Sequence, residues 1–150
     1  MSHVRTQIRD RVETVLTGLT TTSTNVFASR VHPFFNEGSE LPGLCLYTAT
    51  EEVENSEEDA ISHIQKRSVL MIIEGYEAAT TMLETTLDLI AAEVETALMA
   101  DQFLTGLSHG IDLVGTEIEL TGDGEKPVGV IVMIYRIYYL TGEGAPEMAL

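Results

Sequence analysis

The sequence has no tryptophan, one cysteine, and only 8 lysines and arginines against 24 aspartates and glutamates. A lone thiol excludes an intramolecular disulfide and a zinc site built on cysteines. The apolar neighbours of Cys45, Leu44 and Leu46, indicate an inert buried thiol. The formal net charge of -16 disfavours DNA binding through a broad basic patch. We therefore expect a protein that repels nucleic acid or docks on a basic partner.

Motifs that define common active sites are also missing. The sequence contains no P-loop, no G-x-G-x-x-G and no G-x-S-x-G. Its four histidines, His3, His32, His63 and His109, fall in four different predicted elements. We expect no catalytic, cofactor-binding or metal-binding residues, and we expect that the chain is not an enzyme.

No apolar run approaches the length needed to span a membrane, and the first residues do not resemble a signal peptide. We expect no membrane partner. We expect synthesis in a reducing, cytoplasm-like compartment. The 150 residues are enough for one domain with a sizeable core.

The most informative segment is Val128–Leu140, which is rich in β-branched and aromatic residues and predicts a long strand. Alternate residues point to opposite faces, and both sets are largely apolar. Helices can cover one face, and a second copy of the chain would cover the other. On this basis Val132→Asp is expected to prevent folding. Arg136, the one charge in the segment, has either a carboxylate partner or its head group in water.

Two amphipathic helices are predicted from apolar spacing, one that begins near Val4 and ends near Gly18 and one that ends near Ala100. A capping box, Thr81 to Glu84, predicts the start of the second helix. The remaining predicted elements are strands: Val26–Val31, Leu44–Thr48, Ile61–Tyr76, Ile111–Leu120 and Val128–Leu140.

The predicted order is α-β-β-β-α-β-β. It indicates an α+β fold with one mostly antiparallel sheet, both helices packed on one face, and a long hairpin extension. We expect a single domain over residues 1–140 and a flexible C-terminal tail over residues 141–150.

Six acids occur in the nine residues of Glu51–Asp59. Such a block repels itself and predicts a solvated loop or the tip of the hairpin. A charged docking surface is the second interpretation, and a metal site is the third because the register of a calcium loop is missing. The residues expected to make interactions are Glu51, Glu52, Glu54, Glu57, Glu58, Asp59, Lys66, Arg67 and Arg136.

Four segments carry a family resemblance: IRDRVETVLTGL, VFASRVHPF with LPGLCLYT, RSVLMIIEGY with TTLDLIAAEVETAL, and the closing IDLVGTEIELTGDGEKPVGVIVMIYRIYYLT. Their pattern resembles the tail terminator, or tail completion, proteins of long-tailed bacteriophages, the group around the lambda-type minor tail protein U. The resemblance covers nearly the whole chain up to the C-terminal segment 141–150. It is one of architecture, because no invariant catalytic motif defines the family.

The resemblance implies a structural virion protein at the head-proximal end of the tail. Such proteins form homohexameric rings that bind the end of the tail tube protein, stop its polymerisation and present a surface to a head–tail connector protein. DNA would pass through the acidic ring without specific binding. By analogy, the contact surfaces would lie on the sheet and on the Glu51–Arg67 extension.

Three other interpretations stay open at the level of sequence. The nearest is another head–tail connector or stopper protein with a similar fold. A small oligomeric enzyme with a site between subunits would need two histidines and a carboxylate in one pocket. An acidic mimic of nucleic acid would need its acids concentrated on one convex face.

Overall fold

The computed structural model describes residues 1–28, 40–55, 61–122 and 126–150 of the chain. In chain order its elements are α1 (Val4–Leu16), β1 (Val26–Ala28), β2 (Gly43–Glu54), β3 (Ile64–Ala78), α2 (Leu83–Ala100), a 3₁₀ turn (Leu104–Gly106), β4 (Gly110–Thr121), β5 (Val128–Gly142) and β6 (Ala145–Ala149).

The strands form one sheet in the order β1-β2-β3-β5-β4, and β6 pairs with the end of β5. The β1–β2 pairing is parallel and the other pairings are antiparallel. The α+β class, the mostly antiparallel sheet and the element order up to β5 confirm the expectation from sequence. The predicted strand over Val26–Val31 is described only to Ala28.

Strands β2, β3 and β5 are long because their side chains alternate or run apolar without a break. β3 and β5 pair from Ile64 opposite Gly142 to Ala78 opposite Val128. β2 pairs with β3 as far as Glu54 opposite Lys66, so the predicted hairpin extension is present. Three of the acids predicted to lie in a loop, Glu51, Glu52 and Glu54, are therefore part of β2.

Both helices pack on one face of the sheet. α1 buries Val4, Ile8, Val12 and Leu16 at helical spacing, and α2 buries Leu87, Ile90, Ala91, Val94 and Leu98. They cover the set of β5 side chains Ile131, Met133, Tyr135, Ile137 and Tyr139, which are all buried. This burial supplies most of the free energy that holds the helices on the sheet, at about 25 cal/mol per Å² of apolar surface.

Two strand glycines permit this close packing. A Cβ at Gly75 would lie 2.8 Å from Cγ2 of Ile90, and a Cβ at Gly129 would lie 2.8 Å from Cδ1 of Leu87. Both distances are shorter than a Cβ contact tolerates, so α2 can approach β3 and β5 only where a side chain is missing.

The start of α2 differs from the prediction. Met82 is the N-cap residue, with φ of 57°, and no side chain caps the helix. Thr81 therefore does not form a capping box with Glu84. Leu83 packs against Gly129, and a Cβ added at Gly129 would lie 3.1 Å from Cγ of Leu83. This tertiary contact sets the path by which the chain enters the helix.

The segment predicted as a flexible tail contains strand β6, which the sequence analysis missed. Thr141 pairs with Ala149, and the Leu150 N–H donates to the Leu140 carbonyl at 3.0 Å. The side chain of Gln7 on α1 donates to the carbonyl of Glu147 at 2.9 Å. The tail turns back because positive φ at Gly144 allows a tight turn after β5.

Candidate interaction surface

The face of the sheet opposite the helices is called the open face here. None of the helices and strands bounded above lies over it. It is formed by alternate residues of three neighbouring strands: Tyr47 on β2; Leu70, Ile72 and Glu74 on β3; Val130, Val132, Ile134, Arg136, Tyr138 and Leu140 on β5. Apart from Glu74 and Arg136, these side chains are apolar or aromatic.

Exposure on the open face is partial rather than complete. Val128 and Tyr138 on β5 are 41% and 38% exposed, and the residues between them are half-buried by their cross-strand neighbours. The expectation that Val132 is enclosed in the folded chain is corrected. Its side chain is half-buried on the open face, and the side chain that faces the helices is that of its neighbour Met133. A contiguous apolar face of this kind is typical of a protein–protein contact.

Arg136 lies on the open face of the central strand β5. Its cross-strand neighbours are Leu70 on β3 and Asp112 on β4. Within the part of the chain that the structure describes, it makes no ion pair. The acids of α2 cannot be its carboxylate partner, because that helix lies on the other face of the sheet. Arg136 is half-buried beside Glu52 and Ser68, which places a cation within an acidic and apolar surface.

The polar end of the open face is a groove of about 630 Å³ beside the hairpin extension. Its lining combines acids and bases with aromatic surface: Glu52, Val53, Glu54, Lys66, Arg67, Ser68 and Tyr138. The predicted interaction residues Glu52, Glu54 and Lys66 are exposed there. Three others, Glu57, Glu58 and Asp59, lie outside the described residues.

Glu51 and Arg67, which were predicted as interaction residues, are part of an internal ion-pair network. Their side chains are 10% and 12% exposed. Oε2 of Glu51 accepts from Nη1 of Arg67 at 3.1 Å and from Nη1 of Arg5 at 2.5 Å. Oε1 of Glu51 accepts from the Tyr139 hydroxyl, and Nε of Arg67 donates to Thr141 Oγ1 at 3.0 Å.

The register shift between Thr48 and Glu51 explains this position, because it turns Glu51 to the helix-covered face opposite Val69. A buried carboxylate with two guanidinium partners holds α1, β2, β3 and β5 together. The prediction that these two residues contact a partner is therefore replaced by an internal structural role.

A second carboxylate, Glu74, accepts two phenolic hydrogen bonds on the open face. The hydroxyl of Tyr76 donates to Oε1 at 3.0 Å, and that of Tyr47 donates to Oε2 at 3.4 Å. Burial, followed by the contact with Glu74, raises the pKa of both tyrosines above the ordinary phenol value. The phenols therefore remain protonated donors, and Glu74 lies fixed within the apolar surface.

Two of the three arginines of α1 make contacts inside the chain. Arg5 binds Glu51, and Nε of Arg11 donates to Oδ2 of Asp101 at 2.9 Å. On α2, Glu93 accepts from the N–H and from the hydroxyl of Thr21, at 2.8 and 2.5 Å. A helical pattern in the sequence does not show these contacts, because it does not specify which loop or helix end lies opposite each charged side chain.

Each described histidine makes a local contact. Nδ1 of His3 accepts from the Arg5 N–H at 3.1 Å and caps α1. Nδ1 of His63 lies 3.1 Å from Oε2 of Glu143, and Nε2 of His109 lies 2.6 Å from the Leu150 carbonyl. Over residues 1–28, 40–55, 61–122 and 126–150, no three histidine, cysteine, aspartate or glutamate side chains are grouped so that they could hold a metal ion.

Among the described helices, none is long and apolar enough to cross a membrane. No protein-family model matches the chain, and no curated protein is significantly similar to it. The candidate surface is therefore interpreted from its own residues.

Proposed function

We propose that this chain is a structural protein of the bacteriophage virion, a tail terminator that forms a homohexameric ring on the head-proximal end of the tail tube. The observation that carries the proposal is the open face, where Leu70 of β3 and four apolar residues of β5 are half-buried and face away from both helices: Val130, Val132, Ile134 and Leu140. A monomer gains little from an apolar face of that extent, whereas an assembly buries it between subunits or against a tube end.

The hairpin extension supports the same proposal. β2 and β3 pair as far as Glu54 opposite Lys66, and Glu52, Glu54 and Lys66 are exposed at this polar end. Exposed charges at the rim of an apolar patch give register and partner choice more than affinity. In the proposed assembly, the open face contacts neighbouring subunits or the tube, and the extension selects the correct neighbour.

The net charge of -16 fits a ring through which DNA passes. Like charge on the wall of a channel prevents the duplex from binding to it. The proposed ring would present its free surface to a head–tail connector protein.

The test is electron microscopy of the purified protein mixed with tail tubes assembled from the tube protein of the same phage. We expect a ring at one end of each tube and a stop to further elongation. Rings at tube ends with continued elongation would contradict termination, and decoration of connector rings instead of tubes would indicate a stopper. The variant Val132→Lys, which places a charge on the open face, serves as the negative control.

A further inference from the structure

Strand β4 forms one edge of the sheet. Its inner side pairs with β5, while no strand in the described part of the chain pairs with its outer side. The strand is 12 residues long, and most of its side chains are exposed. Proteins seldom leave so long an edge uncovered, because its free N–H and C=O groups invite another strand.

The two faces of this edge differ in chemistry. The side chains on the open face are acidic: Asp112, Glu117 and Glu119, which lie opposite Arg136, Val132 and Val130 of β5. Apart from Thr116, the exposed side chains that point to the helix side are apolar: Leu113, Ile118 and Leu120, each of them more than 40% exposed. The edge therefore presents alternating acidic and apolar positions.

A small groove lies between this edge and the second half of α2. It has a volume of about 70 Å³, and it is lined by Glu95, Leu98, Met99, Ile111, Leu113 and Tyr135. Tyr135 is only 3% exposed, and its hydroxyl has no hydrogen-bond partner among the described residues. Apart from Glu95 and this hydroxyl, the lining of the groove is apolar, so the groove favours an apolar side chain of an incoming segment.

We propose that β4 is a docking edge for an extended segment of another protein in which basic and apolar side chains alternate. The segment adds a strand to the sheet, its basic residues lie beside Asp112, Glu117 and Glu119, and an apolar residue enters the groove at Leu113 and Met99. This mode is β-strand addition, in which main-chain hydrogen bonds give affinity and alternate side chains give specificity.

Charge selects this partner over a second copy of the chain. Pairing of β4 with β4 across a two-fold axis near Ile118 would bring Glu117 and Glu119 of one strand opposite Glu119 and Glu117 of the other, and like charges across a strand pair are destabilising. The proposal goes beyond the proposed ring, because the incoming strand pairs with the outer edge of β4, which the ring contact does not require.

The test uses a capped synthetic peptide, KVRVKLRVK, with the full-length protein. Binding is measured by titration calorimetry, and the strand addition by hydrogen exchange of the β4 amides. We expect saturable binding, new protection of β4 amides, and an affinity that falls with added salt. The same peptide with N-methyl groups at alternate residues should lose at least tenfold in affinity, because it cannot complete the ladder.

A charge-matched pair of variants locates the site. Glu117→Lys with Glu119→Lys should weaken peptide binding about tenfold, since two attractive positions become repulsive. Asp10→Lys with Glu13→Lys changes the net charge equally on α1 and should leave the affinity unchanged. Three results would overturn the proposal: no binding, equal losses in both variants, or tighter binding of the acidic peptide EVEVELEVE.

Discussion

The hydroxyl of Tyr139 on β5 donates a hydrogen bond to Oε1 of Glu51 on β2, across the intervening strand β3. Burial, followed by the hydrogen bond to Glu51, raises the pKa of Tyr139, so the phenol stays protonated and acts as the donor. Four residues earlier on the same face of β5, Tyr135 is also buried, but its hydroxyl has no partner in the described chain. The two tyrosines therefore differ in one contact.

Replacing each of these tyrosines with phenylalanine should shift stability in opposite directions. Tyr139→Phe removes a donor to a buried carboxylate and should lower the free energy of unfolding by about 2 kcal/mol. Tyr135→Phe removes an unpaired buried hydroxyl and should raise it by about 1 kcal/mol. Urea unfolding of the two variants measures both changes. A loss of equal size in both would show that the Glu51 contact contributes nothing.

Removal of the shared carboxylate should have a larger effect. Glu51→Ala leaves Arg67 buried without an anionic partner and should lower the free energy of unfolding by about 3 kcal/mol. This value is at the lower end for a broken buried ion pair, because the second cation, Arg5, can reach water. The matched control is Glu54→Ala, an exposed acid on the same strand, which should stay within about 0.5 kcal/mol of the parent. Equal melting temperatures for the two variants would contradict the internal role of Glu51.

The glycine at position 129 should be far less replaceable than another strand glycine. In Gly129→Ala the new methyl would lie 2.8 Å from Cδ1 of Leu87 and 3.1 Å from Cδ2 of Leu120, so these side chains or α2 must shift, at a cost of about 1–3 kcal/mol. Gly115→Ala meets nothing within 4 Å and should be neutral. Thermal unfolding of both variants provides the comparison, and a neutral Gly129→Ala would show that the helix is not held this closely.

Much of this arrangement can be predicted from sequence. The apolar repeats of α1 and α2 identify their buried faces, and the composition of β3 and β5 identifies the long strands. These signals are local, since one chain segment carries each of them. The role of Glu51 is different: it depends on a register shift in β2 and on residues from α1, β3 and β5, none of which a local pattern specifies. The capping box at Thr81 was wrong for the same reason, because the contact of Leu83 with β5 determines where α2 begins.

The cap of α1 should make stability depend on pH through His3. Burial, followed by the charge of Arg5, lowers the pKa of His3 in the folded protein, where its neutral Nδ1 accepts the Arg5 N–H. The unfolded chain has the ordinary pKa of about 6.5. The cap therefore contributes fully above that pH and is lost as pH falls through the lowered folded value.

His3→Asn separates this effect from the titration of the acids, since an asparagine oxygen caps the helix at every pH. The difference in unfolding free energy between parent and variant should be constant above the ordinary histidine pKa. Below it, the parent should lose up to about 1 kcal/mol relative to the variant. A difference that does not change with pH would contradict the capping role of the neutral imidazole.

Substitutions at two adjacent residues of β5 should distinguish an effect on folding from an effect on assembly. Val132 lies on the open face between Glu74 and Glu117, whereas Met133 faces the helices and is fully buried. Val132→Lys places an ammonium beside two carboxylates and should leave the thermal melt within a few degrees of the parent, whereas Met133→Lys buries an unpaired charge and should prevent folding. In the tube-capping assay, the folded Val132→Lys protein should form no rings, because the charge must then be buried in the contact. Normal rings from this variant would show that the open face is not the assembly surface.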